Sequence, residues 1–318
     1  MMPLLTILIT TFNRATVLDV LLELLRSYQQ RGLDFKVLVS DDCSSDNTEE
    51  ICSKWGPKMQ GLSYIRTNSN SGMDNNFKNA YENFDTEYCW LLGDTRHISY
   101  EGLRSILEIL SEKKYDALIL RCRTEMPQKR IVYSDISTLM NEQGWHITNN
   151  ASCVIPQKFI NQVLYHRHMG TTFLHMGIFV ENLCQMENFK VLYMGDVYIT
   201  ELDVPQFNKV GWTKHPFLNF GKLWYSFIMS LPNQIDIDLK HKVLLDHNKY
   251  TKIFTPKKMP RFLFHYGETY RNSYIQNRRF MQYVSTCPLF IYDIIVKYIP
   301  LQLYHYLASI YFVFKKRK

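Results

Sequence analysis

Over roughly the first 120 residues, short apolar runs alternate with segments whose apolar residues recur every three or four positions. Leu4–Thr10 is a nearly unbroken apolar run, the pattern of a strand buried on both faces of a parallel sheet. Val17, Leu18, Leu21, Leu22 and Leu25 follow at helical spacing. Phe35–Ser40 predicts a second strand, and Asp46 with Glu49 a capping-box-like start to a short helix. The pattern then predicts strands at Leu62–Ile65, Tyr88–Leu92 and Asp116–Cys122, with helices at Met73–Phe84 and Tyr100–Leu110 between them. This alternation predicts right-handed βαβ units and a mostly parallel sheet. From about 125 to 210 the pattern is mixed, with strands expected at Ile131–Ser134 and Val191–Met194 and a helix at Phe173–Met186. Beyond 211 it is helical and aromatic.

Three of the apolar strands run into polar ends: TTFNRAT after the first, DDCSSDNT after the second, GDTRHI after Tyr88–Leu92. In an open α/β sheet that edge is where ligands bind. Neither common glycine loop is available to hold a nucleotide there. No GxGxxG follows the first strand, and GxxxxGK[ST] occurs nowhere.

Composition adds three points. The chain has 318 residues, 46% of them hydrophobic and 21% charged, which supports a large globular core rather than a disordered chain. The net charge is +7 and falls late, in RFLFHYGETYRNSYIQNRRF and the terminal KKRK, while the first hundred residues are slightly acidic. The seven cysteines are dispersed without CxxC spacing, the usage of reduced buried thiols in the cytosol rather than of a zinc site. The N-terminal apolar run is short and lacks a basic leader, so no signal peptide is expected, and no spanning helix is expected either. No RNP, zinc-finger or helix-turn-helix signature appears, so nucleic acid is not an expected partner.

Four places carry a resemblance to a known family. Ile9-Thr10-Thr11-Phe12-Asn13-Arg14, Val39-Ser40-Asp41-Asp42-Cys43-Ser44-Ser45-Asp46-Asn47-Thr48, Asn70-Ser71-Gly72 with Asn76, Asn79 and Ala80, and Tyr88-Cys89-Trp90-Leu91-Leu92-Gly93-Asp94 stand in order across the first hundred residues. Together they resemble the family 2 glycosyltransferases, inverting enzymes of GT-A fold that use nucleotide-diphosphate sugars. The last strand is similar to a subgroup ending in LLGDDD, some of whose members build surface polysaccharides. The resemblance implies a donor site formed by Thr10, Phe12, Arg14, Asp42, Asn76 and Asp94, with Thr10 and Phe12 lining the base pocket. A carboxylate at a strand end can accept the imide N–H of uracil or thymine, or meet a ribose diol, and Asp42 is the residue expected to do so. Asp41, Asp42, Ser44 and Ser45 would also suit a turn and a helix cap without any ligand.

In that family the acidic motif holds the ribose and a divalent cation, Mg²⁺ or Mn²⁺, on the diphosphate. Here Asp94 is followed by Thr95 and Arg96, neither a carboxylate. Three outcomes stay open: Arg96 supplies the charge in place of a metal; Asp94 is the metal ligand, helped by His97 or a distant group; or the site is inactive. Inverting transfer also calls for a general base. The segment comparable to the family's base position, Met169–Phe179, holds no Asp or Glu, and His175 is its only titratable side chain. An imidazole suits the role, as it also suits a plain core position. Glu181 and Glu187 are weaker candidates, and Asp196 and Glu201 are further acids that could touch acceptor.

The expected architecture is therefore α/β: a GT-A domain over 1–210, with a nucleotide-sugar half at 1–122 and an acceptor half at 123–210, and a helical, basic-aromatic region at 211–318. The expected activity is inverting transfer of a sugar to a hydroxyl of a bacterial surface glycan or lipid-linked acceptor, in the cytoplasm. The basic-aromatic region would allow peripheral contact with the inner face of the plasma membrane. Two rivals remain: a non-catalytic partner of the same fold, and a nucleotidyltransferase, which would want a richer phosphate loop than TTFNRAT.

Overall fold

The computed structural model describes residues 3–204, 214–300, 302 and 303. The chain divides into two compact units, Met1–Asn208 and Lys209–Lys318.

In the first unit β1 (Leu5–Thr11), α1 (Ala15–Gln30), β2 (Lys36–Asp41), α2 (Thr48–Trp55), β3 (Leu62–Arg66), α3 (Met73–Glu82) and β4 (Tyr88–Gly93) follow in sequence. Next come the two-residue β5 (Arg96–His97), then α4 (Tyr100–Ser111), β6 (Ala117–Arg121), β7 (Arg130–Tyr133) and α5 (Ile136–Gln143). The unit closes with β8 (Cys153–Pro156), α6 (Gln162–His168), α7 (Leu174–Cys184), β9 (Val191–Tyr198) and β10 (Thr200–Glu201).

Eight strands make one sheet in the order β3-β2-β1-β4-β8-β6-β9-β7. β1 is parallel to both β2 and β4, and β2 to β3. β8 runs antiparallel between β4 and β6, so β6 and its parallel neighbour β9 recover the direction of β1, and β7 is antiparallel at the edge. Strands covered on both faces need no apolar-polar alternation, and six of the seven residues of β1 are buried. α1 buries Val17, Leu18, Leu21, Leu22, Leu25 and Tyr28, the stripe its spacing predicts.

The expectations around Asp46 need one correction. Asp46 does cap α2, accepting from the Thr48 amide (3.2 Å) and hydroxyl (2.5 Å), but its other oxygen accepts from the Ala15 amide at the start of α1 (2.9 Å). Glu49 closes no reciprocal box; it pairs with Arg66 at 3.2 Å. One carboxylate thus serves the N-termini of two helices, where partial positive charge collects. β8, α5 and α6 are elements the sequence pattern does not pick out.

The second unit is helical. A π-helix at Phe217–Leu223 runs into α8 (Trp224–Ser230), followed by α9 (Ile237–Thr251), α10 (Met259–Asn277), α11 (Met281–Val284) and α12 (Leu289–Tyr292), which continues as a second π-helix over Asp293–Tyr298. α10 kinks at Gly267, whose φ of 49° and ψ of −124° suit glycine alone. The core of this unit is aromatic. Phe217 stacks on Phe254 with ring centres 5.2 Å apart and meets Tyr270 at 4.8 Å and Tyr274 at 5.1 Å. The apolar run at Ile310–Phe314 and the terminal Lys315–Lys318 lie outside the described residues.

Candidate active site

The carboxyl ends of β1, β2 and β4 lie side by side, because Thr10 pairs with Gly93 and Thr11 with Asp41. Thr11 links its two neighbours. Its carbonyl accepts the Asp42 amide at 3.0 Å, and its hydroxyl donates to Asp94 Oδ2 at 3.0 Å. Asp42 and Asp94 follow the strands on either side of β1, two inter-strand spacings or about 10 Å apart along the rim.

Asp94 is buried, and its Oδ1 accepts from Arg14 Nη1 at 2.6 Å. Burial pushes its carboxyl above the usual range, while the Arg14 charge and the bonds from Arg14 and Thr11 pull it back. Asn150 stands close by, its amide nitrogen 3.6 Å from where a side-chain carbon on Gly93 would lie. The loop carrying Asn150 is tied to β4 by the Trp90 indole, which donates to Ala151 O at 2.8 Å.

The turn after β1 is locked to the loop after β2. Asn13 adopts a left-handed backbone (φ 52°), a conformation that asparagine tolerates. Its amide donates to Ser44 Oγ at 2.8 Å, and its side-chain oxygen accepts the Ser45 amide at 2.7 Å. Asp41 is fully buried and braces the same loop, accepting from the Ser44 amide (3.0 Å) and hydroxyl (2.5 Å) and from the Tyr64 hydroxyl (2.8 Å). This bracing leaves Phe12 projecting from the rim, 41% exposed. Thr10 is half-buried beside it.

Asp42 organises the approach to α3. Its Oδ1 accepts from the Ser71 amide (2.8 Å) and hydroxyl (2.9 Å), and its Oδ2 from the Gly72 amide (2.9 Å). Asn76 is buried and fastens α3 to β2, accepting from Ser40 Oγ at 2.6 Å and donating to Ser40 O at 3.1 Å. In the geometry described, both residues spend their polar atoms on the fold around the rim.

Arg96 lies in β5, opposite Glu201 of β10, and its guanidinium reaches Glu201 Oε1 at 3.1 Å. His97 Nε2 lies 2.7 Å from Thr200 Oγ1, so its contact is to the β10 strand. Asp196 pairs with Arg130 at 2.8 Å. His175 opens α7, buried, with Nε2 3.2 Å from Thr148 O and its ring edge-on to Phe77 at 5.8 Å. Burial pushes it down to about 4, so it is neutral near pH 7, and its Nδ1 has no hydrogen-bond partner among the described residues.

Sequence reasoning passes over three residues. Thr11, rather than Thr10, carries the bond to Asp94. Asn150 comes from the mixed middle of the chain. Asp74, in the first turn of α3, is buried and accepts the Thr172 amide at 2.9 Å, so a carboxylate from another helix braces the start of α7.

The donor set does not fit a divalent cation. Asp94 is the single carboxylate at its position, both its oxygens are engaged, and a guanidinium touches one of them. Among the described residues no three His, Cys, Asp or Glu side chains converge as metal ligands. Hard cations call for several oxygen donors, which this cluster does not offer.

A mostly parallel sheet with acidic and hydroxyl groups along one rim defines a Rossmann-like, GT-A-type α/β fold. The family model "Glycosyl transferase family 2" matches residues 6–179, and the chain belongs to that family. Among curated proteins it is similar to the abequosyltransferase RfbV of Salmonella typhimurium, 29% identical over 109 residues that cover 34% of this chain and 32% of RfbV. It is also similar to the poly(ribitol-phosphate) beta-N-acetylglucosaminyltransferase TarS of Staphylococcus aureus, 25% identical over 119 residues, 37% of this chain and 21% of TarS. The matches therefore span about a third of one relative and a fifth of the other. In fold it resembles an S. aureus TarS fragment in complex with UDP-GlcNAc, with a TM-score of 0.58 at 16% identity over 96% of this chain and 87% of that one. It also resembles the mannosyltransferase PcManGT of Pyrobaculum calidifontis in complex with GDP-Man and Mn2+, with a TM-score of 0.53 at 14% identity over 87% and 76% of the two chains.

Proposed function

We propose that this protein transfers a sugar, with inversion, from a nucleotide-diphosphate donor to a hydroxyl of a bacterial surface glycan, on the cytoplasmic side of the membrane. The observation that carries this reading is the rim on which Thr11 joins the Asp42 and Asp94 loops, with Phe12 projecting beside them. RfbV is named as an abequosyltransferase and TarS as a poly(ribitol-phosphate) beta-N-acetylglucosaminyltransferase, which supports sugar transfer, in one case to a polymer; a lipid-linked form of such an acceptor would lie at the membrane.

In this reading the donor base lies against Phe12 and Thr10, and the ribose meets the Asp42 and Asp94 edge through the second acceptor sites of Asp42 Oδ2 and Asp94 Oδ2, each of which takes one bond from the fold. Asn76 acts by positioning α3 behind the rim. The diphosphate is met by Arg14 and Arg96, which exchange Asp94 and Glu201 for phosphate oxygens. The acceptor oxygen bonds to the anomeric carbon as the bond from that carbon to the diphosphate oxygen breaks. The nucleoside diphosphate leaves with the bonding electrons, and a base takes the hydroxyl proton. His175, neutral and with Nδ1 unbonded among the described residues, is the candidate base; reaching the acceptor requires the ring to be uncovered, since it is buried.

Turnover of donor by the purified chain tests this. Activity is expected to survive EDTA, to fall about a hundredfold in Asp94→Ala, and to fall at least as far in Arg96→Ala. His175→Gln is expected to lower kcat about a hundredfold with donor KM little changed. Loss of activity in EDTA with rescue by Mn²⁺ would overturn the arginine role. A folded protein without turnover on any nucleotide sugar would favour the non-catalytic partner.

A further inference from the structure

Charge is divided unevenly along the chain. Residues 256–318 hold eleven Lys and Arg against two Asp and Glu, a net of +9, so the preceding 255 residues carry −2. Within the basic region, the continuous helix formed by α12 and the π-helix after it has two contrasting faces.

Its inner face is fixed. Tyr292 and Val296 are fully buried, and the Tyr292 hydroxyl donates to Phe254 O. Arg278 forks onto Asp293 at 2.8 and 2.6 Å, and the Tyr274 hydroxyl donates to the same carboxylate at 2.9 Å. Arg271 closes the far end, donating to Val296 O at 3.0 Å and Ile299 O at 2.6 Å, where the helix leaves carbonyls unpaired.

The outer face is apolar and open. Phe290, Ile294 and Tyr298 recur every four residues and are 62%, 51% and 66% exposed. Lys297 is exposed next to them, its ammonium 5.0 Å from the Tyr298 ring centre. Single exposed apolar residues are ordinary, but three aligned on one rigidly held helix form a surface.

We propose that this face lies in the headgroup layer of an anionic lipid bilayer, with Phe290, Ile294 and Tyr298 entering the interface and Lys297 facing the headgroups. The charge decides the occupant. A region of +9 repels a second copy of itself, whereas an anionic leaflet attracts Lys and Arg near its surface. An aromatic and aliphatic face beside basic residues is the composition of an interfacial helix. The proposal deepens the reading of a lipid-linked acceptor by naming the face and the lipid class, and its test is independent of donor chemistry.

The test is co-sedimentation of the full chain with vesicles of phosphatidylcholine alone or mixed with phosphatidylglycerol. Binding is expected to the mixed vesicles and about tenfold less to the neutral ones, and to fall as salt is raised. The triple variant Phe290→Ser, Ile294→Ser, Tyr298→Ser should bind mixed vesicles about tenfold more weakly. Its Tm and its response to donor should match the unsubstituted chain, since all three side chains face outward. Unchanged binding by the triple variant, or no binding to mixed vesicles, would overturn the proposal. So would light scattering that shows a dimer which the triple variant dissolves, because the face would then be a contact between copies.

Discussion

Thr11 and Arg14 both act on one buried carboxylate, Asp94, and the consequences differ. Thr11→Val keeps the shape of the side chain but leaves Asp94 Oδ2 short of a donor, a loss expected to cost about 1–3 kcal/mol. Arg14→Ala strands the buried Asp94 carboxylate, and leaving a buried charge without its partner costs about 3 kcal/mol. Urea unfolding near neutral pH should therefore rank the chain above Thr11→Val and Thr11→Val above Arg14→Ala. The reverse order would mean that the hydroxyl, not the guanidinium, holds the carboxylate. At this scale the sequence displays Asp42, Asp94 and Arg14 clearly, because polar residues at the ends of apolar runs stand out. It does not separate Thr10 from Thr11. β1 is buried on both faces, so no alternation reveals which side of the strand each faces. Arg96 shows why residue type alone is insufficient: its partner Glu201 is more than a hundred positions away and reaches it through a two-residue pairing.

The elements around α7 carry a pH dependence. Burial pushes His175 down to about 4 and His146 down to about 3, from the 6.5 of a free imidazole. Both rings are neutral in the native state and bind a proton more readily when unfolded. Their contribution is thus present above pH 6.5 and lost as pH falls from 6.5 toward 4. The full effect is about 3 kcal/mol for His175 alone. Unfolding midpoints should fall across that range, and His175→Gln should flatten part of the slope; an equal slope in the variant would show that the ring is not held neutral. Long patterned elements such as α1 and β4 are evident from their residues alone. β8 is not, because four residues ending in Pro156 carry too little periodicity, and it pairs only because β4 and β6 both offer it an edge. α6 is a seven-residue helix whose α7 contacts include a buried His168–Glu181 pair at 2.7 Å, a tertiary feature.

Across the whole molecule, an acidic-rimmed sheet unit and a basic, aromatic helical unit share one chain. The parallel sheet is evident in the strand–helix alternation of the first 120 residues or so, and the four motifs lie along its carboxyl edge. The basic-aromatic composition of the second unit is equally plain in the sequence, but the outward face at Phe290, Ile294 and Tyr298 emerges only once α10 and α12 are packed. The donor pocket is the central claim, and Phe12 offers the cleanest handle on it, since an exposed ring can be removed with little effect on the core. The decisive measurement is a calorimetric titration of the chain and of Phe12→Ala with UDP, dTDP, GDP and CMP. One nucleotide should bind, and Phe12→Ala, at unchanged Tm, should weaken that binding about tenfold, the value of one base–aromatic stack. Binding of none of the four, or equal affinity in Phe12→Ala, would contradict a nucleotide seated on this rim.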